Sequence, residues 1–119
     1  MLRRFRYLAL ALPPTLGILA VSTVGVGHTD ETELTEEFLH DPAQIQLGQE
    51  LFGQQCAKCH GKGAYPGKAP KLKVGKLSAE DVYLRVAYGF RRMPAWEDVF
   101  TDEEIMAITA YVKSDRFSN

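Results

Sequence analysis

Cys56-Ala57-Lys58-Cys59-His60 is the stretch whose reading decides the fold. It holds both cysteines of a 119-residue chain and one of its three histidines. A plain disulfide leaves His60 without a role. A thioredoxin-like redox pair needs a βαβ setting, and the flanking sequence carries no strand signal. A structural zinc site takes four ligands, and beyond these three residues only His40 or a carboxylate remains. Covalent haem attachment uses all three at this spacing. Each thiol meets one of two vinyl groups on a single porphyrin edge. The histidine beside the second cysteine then lies under the iron, where a neutral imidazole nitrogen serves as axial ligand.

The residues around the motif read as helices separated by long loops. On its N-terminal side, Asp41-Pro42 opens a helix: Asp41 is a suitable N-cap, and Pro42 at the first helical position forfeits no helical hydrogen bond. Leu47, Gly48, Leu51, Phe52 and Gln55 share one face at helical spacing, and the helix is predicted to run to about Cys56. On its C-terminal side, Gly61, Gly63, Pro66, Gly67, Pro70 and Gly75 mark residues 61–77 as a loop. Ser78, with Asp81 three residues on, starts a second helix whose buried stripe is Val82, Tyr83, Val86 and Phe90, closed at Gly89. A second loop carries Met93-Pro94-Ala95-Trp96. Thr101-Asp102-Glu103-Glu104 is a capping box with acids at the positive end of the helix dipole. It opens a third helix with Ile105, Ile108, Tyr111 and Val112 on its apolar face. No strand and no internal repeat is apparent, so the class is all-α.

The overall charge conceals a segmented chain. The formal net charge is −1, with 45% hydrophobic and 24% charged residues, which excludes both a nucleic-acid binder and a disordered chain. Residues 1–27 begin with Arg3, Arg4 and Arg6 and continue as an apolar run broken by Pro13-Pro14. This is the layout of an export signal, and the run is also about 20 residues long, enough for a membrane anchor. Beyond Gly27 stand all 15 acidic but only 11 of the 14 basic residues, a net of −4. Residues 28–57 hold seven acids and no Lys or Arg, whereas residues 58–92 hold nine basic residues against Glu80 and Asp81. The division is therefore a signal peptide or anchor over 1–27, an acidic flexible lead over 28–41 that reads equally as a frayed first helical turn, and a folded domain over 42–119. Three short helices with two long loops in so short a domain need an organiser, and a bound cofactor is expected on that ground alone.

Taken in order, Gly48, Phe52, Cys56, Cys59-His60, Pro70, Met93 and the final helix resemble the class I c-type cytochromes over residues 43–114. The resemblance implies a cytochrome c-like fold of three or more short helices wrapped around one covalently bound haem c. In that family the glycine lets the first helix cross closely over the last, and Ile108 and Tyr111 match the partner positions. Ala69-Pro70-Lys71-Leu72 is similar to the family's proline turn, whose carbonyl accepts a hydrogen bond from the proximal histidine and fixes its ring. Met93-Pro94 is similar to the distal-ligand loop. Met93 is the expected second axial ligand, since Met1 begins the chain and Met106 lies within a helix. Trp96 reads either as a donor to a haem propionate or as packing. Arg91 and Arg92 read either as propionate partners or as a solvated basic face. Leu72 and Val86 are expected to wall the haem.

What the resemblance implies is an exported, periplasmic electron carrier rather than an enzyme. Histidine–methionine ligation fills both axial positions and leaves no place for substrate. The basic segment 58–92 carries both ligand loops, so the partner is expected to be a redox protein with an acidic docking surface. A quinoprotein dehydrogenase, a terminal oxidase or a reductase fits that description, and no nucleic acid does. A membrane-anchored haem c subunit of a respiratory or quinoprotein dehydrogenase complex is the alternative if residues 1–27 are retained.

Overall fold

The computed structural model describes residues 33–63 and 67–117. The expected signal or anchor over 1–27 lies outside them. The described residues form α1 (Glu36–His40), α2 (Pro42–Leu51), a π-helical turn (Phe52–Cys56), α3 (Ala57–His60), a short 3₁₀ turn (Val74–Lys76), α4 (Ala79–Tyr88) and α5 (Asp102–Lys113). They contain no strand beyond one isolated bridge between Phe90 and Met93. The all-α expectation holds.

The helix starts follow from their caps. The Asp41 carboxylate accepts from the Ala43 N–H at 2.8 Å, with Pro42 in the first turn. Ser78 and Asp81 form a reciprocal capping box on α4, and Thr101 and Glu104 form one on α5. Each box satisfies N–H groups that a helix N-terminus otherwise leaves unpaired. Two departures from the sequence reading stand out. Where a flexible lead or a frayed first turn is expected over 28–41, residues 36–40 form an ordered helical turn capped by Thr35, and this turn packs on α5. The first long helix does not end at Cys56: it continues to His60 through the π turn, in which the Ala57 N–H donates to the Phe52 carbonyl five residues back. Such a turn inserts one residue into the helical register and is a frequent mark of functional positions.

α5 is the spine of the molecule. Residues 105–112 are all buried, and both α2 and α4 lie against it. The polar member of that run, Thr109, is satisfied by donating its hydroxyl to the Ile105 carbonyl at 2.9 Å. The α2–α5 crossing is a backbone contact. A Cβ on Gly48 would stand 1.9 Å from the Ala107 carbonyl oxygen and 2.9 Å from Tyr111 Cβ. The nearest atoms to Gly48 belong to Ala107 and to Tyr111, and Ile108 is fully buried in the core beside them in sequence. Beside the crossing, Phe52, Tyr111 and Phe117 meet edge to face, with centroids 5.2 to 5.5 Å apart. Each such pair is worth about 0.5–1.5 kcal/mol beyond its buried area.

Candidate haem-binding site

The π turn and α3 present the attachment motif at the end of the α2 rod. Cys56 is buried in the core cluster with Phe52, Val82, Val86, Ile105 and Ile108, whereas Cys59 is exposed. Burial, and then the neighbouring Cys59, push the Cys56 thiol up to about 11. His60 is half-buried with its ring centroid 6.4 Å from that of Phe52. Burial lowers its pKa, which keeps the ring neutral. A neutral imidazole is the form that donates a lone pair to a metal.

The loop after His60 folds back onto the end of α3. The Ala69 N–H donates to the Cys59 carbonyl at 2.8 Å, and a Cβ on Gly67 would lie 2.5 Å from that same oxygen. Pro70 follows at the surface. The expected hydrogen bond from His60 to the Pro70 carbonyl is not formed: Nδ1 of His60 is buried with no hydrogen-bond partner among the described residues. Further along, the Lys113 ammonium donates to the carbonyls of Val74 and Leu77 and so fastens this loop to the C-terminus of α5. Lys113 carries no motif, and nothing in the sequence points to it.

The second loop is held by backbone pairing. Phe90 N–H donates to the Met93 carbonyl at 3.1 Å and Met93 N–H to the Phe90 carbonyl at 2.9 Å. Arg91 turns the chain in the left-handed region, at φ 56°. Trp96 N–H is shared between the Val86 and Ala87 carbonyls, which anchors the loop to the end of α4. Met93 is half-buried and packs against the core cluster that contains Cys56 and Val86. Trp96 stacks on Phe100 with centroids 5.6 Å apart. Arg92 is exposed at the turn.

Around the core cluster, Leu72, Val74, Leu77, Tyr83, Met93, Trp96 and Phe100 are each only partly buried. Apolar side chains left half-covered beside a buried thiol and an orphaned imidazole nitrogen fit a large flat apolar group with a metal at its centre. Among the described residues, no three His, Cys, Asp or Glu side chains converge on a point where a metal ion would sit. The buried Cys56, the exposed Cys59 and the half-buried His60 fit haem attachment.

The comparisons with known proteins agree. Residues 43–112 match the family described as cytochrome C oxidase, cbb3-type, subunit III. The chain is 38% identical over 77 residues to cytochrome c6 of Bryopsis maxima, covering 57% of this chain and 88% of that protein. It is 31% identical over 83 residues to the quinohemoprotein alcohol dehydrogenase ADH IIB of Pseudomonas putida, covering 66% of this chain but 12% of that enzyme. Among solved structures, the c-type cytochrome SorU from Sinorhizobium meliloti is 34% identical with a TM-score of 0.51, covering 61% of this chain and 91% of that one. No helix among the described residues is long and apolar enough to cross a membrane. Motif, fold and relatives converge: the chain belongs to this cytochrome c family and is a class I c-type cytochrome with one covalent haem c.

Proposed function

We propose that this cytochrome is a periplasmic carrier of single electrons between a dehydrogenase or respiratory complex and a downstream acceptor. Cys56 and Cys59 would hold the haem by thioethers, and His60 and Met93 would be its axial ligands. When bound, the haem supplies a one-electron couple. The chain's residues do the rest. Burial keeps His60 neutral, so its imidazole is available as a ligand. Lys113 and the Ala69–Cys59 hydrogen bond hold the loop beside it. Val86, Leu72 and the half-buried aromatic residues exclude water.

The observation that carries the reading is the pinning of Met93. Its backbone makes both hydrogen bonds of the Phe90 pair, and the loop is tied again at Trp96. A ligand positioned so firmly does not leave readily, and a closed coordination sphere favours outer-sphere electron transfer over substrate chemistry. The basic segment 58–92 supports an acidic redox partner, and the similarity to a quinohemoprotein alcohol dehydrogenase supports a quinoprotein dehydrogenase as the donor. Potentiometric titration of the purified protein is expected to follow a single one-electron wave, and its haem is expected to stay on the chain through denaturation. Loss of haem on denaturation contradicts the thioether assignment. Mass spectrometry of the purified protein shows whether residues 1–27 remain, which separates a released carrier from an anchored subunit.

A further inference from the structure

The turn that carries Met93 also builds an unusual surface. The guanidinium carbons of Arg85 and Arg91 lie over the Phe90 ring, 4.3 and 5.2 Å from its centroid. Phe90 is nevertheless 45% exposed, and Leu84 and Tyr88, four apart on one face of α4, are 42% and 61% exposed. Arg91 and Arg92 both project from the turn into solvent. Among the described residues, no carboxylate pairs with Arg85, Arg91 or Arg92 within 4 Å. Asp81, one turn back on α4, feels the Arg85 charge. Arg91 holds its left-handed backbone at φ 56° without being glycine, a conformation that strains an L-residue. Strain of this kind persists where the surrounding structure has a use for it.

We propose that Arg85, Phe90, Arg91 and Arg92 form the contact platform on which an acidic redox protein docks, with Leu84 and Tyr88 at its rim. The partner's being a redox protein rests on the electron-carrier reading; the platform itself rests on the arginine–aromatic geometry. A guanidinium already ordered against a ring loses little rotamer freedom when it takes a carboxylate in its fork. Arg and aromatic side chains also carry a disproportionate share of interface energy. The charge selects carboxylates, and the exposed rings supply the apolar centre such a contact desolvates. The platform is joined to Met93 by the two backbone hydrogen bonds of the Phe90 pair, so a docked partner lies next to the loop assigned to the distal ligand. Lysines elsewhere in the basic segment act at longer range, by steering.

The test uses ¹⁵N-labelled holoprotein titrated with an acidic flavodoxin, first oxidised, so that only binding is read. Amide shifts are expected to concentrate on residues 84–92. The Arg85→Lys/Arg91→Lys variant keeps the charge but loses the planar stacking fork, and is expected to bind roughly fivefold or more weakly. A Lys62→Gln/Lys68→Gln variant is expected to keep the same shift map and to lose part of the salt dependence. Stopped-flow reduction then follows one electron passing from reduced flavodoxin to the oxidised cytochrome. The arginine variant is expected to be slower with flavodoxin and unchanged with hydroquinone, a small uncharged reductant. Unchanged binding in the arginine variant, shifts that map elsewhere, or equal slowing with hydroquinone each overturns the platform. A wild-type rate that is flat with salt refutes the steering reading, while the platform is still decided by the arginine variant.

Discussion

Gly48→Ala is the perturbation that tests the packing most sharply. The added methyl would meet the Ala107 carbonyl oxygen at 1.9 Å and its carbon at 2.5 Å, where ordinary Cβ contacts begin near 3.4 Å. The obstacle is backbone in the middle of α5, so no side chain can rotate away. Relief requires α2 and α5 to part by about 1.5 Å at their crossing, the difference between 3.4 and 1.9 Å, and this opens gaps along the Phe52–Tyr111–Phe117 cluster. Overpacking of a well-filled core costs about 1–3 kcal/mol, and a rigid backbone clash belongs at the upper end. Alanine recovers about 1 kcal/mol of helix propensity over glycine, which leaves a net loss of about 2 kcal/mol. Gly53→Ala is the matched control, because a Cβ there meets nothing within 4 Å. Guanidinium unfolding of both holoproteins, followed by far-ultraviolet circular dichroism, is the assay. Gly48→Ala matching wild type within about 0.5 kcal/mol, or falling no further than Gly53→Ala, refutes the close crossing.

Lys113→Met removes a charged donor from two carbonyls; a loss of about 2 kcal/mol is expected, with faster hydrogen exchange confined first to residues 74–77, and uniform protection there in the variant counts against the clip. Asp81 is held below the ordinary carboxylate value of 3.8, first by its hydrogen bonds with Ser78. The ionised group stabilises the fold above 3.8, and that contribution disappears as pH falls through the folded value. The stability gap between wild type and Asp81→Asn is therefore expected at pH 6 and to close in acid; a gap constant with pH contradicts the capping account.

The elements most legible in the sequence were those written by local chemistry. Asp41-Pro42, Ser78–Asp81 and Thr101–Glu104 announce helix starts because capping involves residues two or three apart. The attachment motif is legible for the same reason, since its chemistry is compressed into five residues. What escaped depends on distance or on a balance of small terms. The π turn at Phe52–Cys56 replaces one hydrogen-bond pattern with another of similar energy, and Gly53-Gln54-Gln55 carries no apolar signal to mark it. Residues 36–40 look too polar to order, yet they gain a cap at Thr35 and a surface on α5. Lys113 finds its acceptors 36 and 39 residues away. Ala107 was overlooked because a small residue in an apolar helix reads as filler until a glycine is seen packed on its carbonyl. The His60–Pro70 bond came with the resemblance, and in this structure Nδ1 has no partner.

Carbon monoxide binding to the reduced holoprotein tests the central claim of a closed electron carrier most directly. With His60 and Met93 on the iron, reduced wild type is expected not to bind carbon monoxide at neutral pH, and Met93→Ala is expected to bind it stoichiometrically, with the visible spectrum reporting both. Binding by wild type, or a variant spectrum identical to wild type with no binding, contradicts the account.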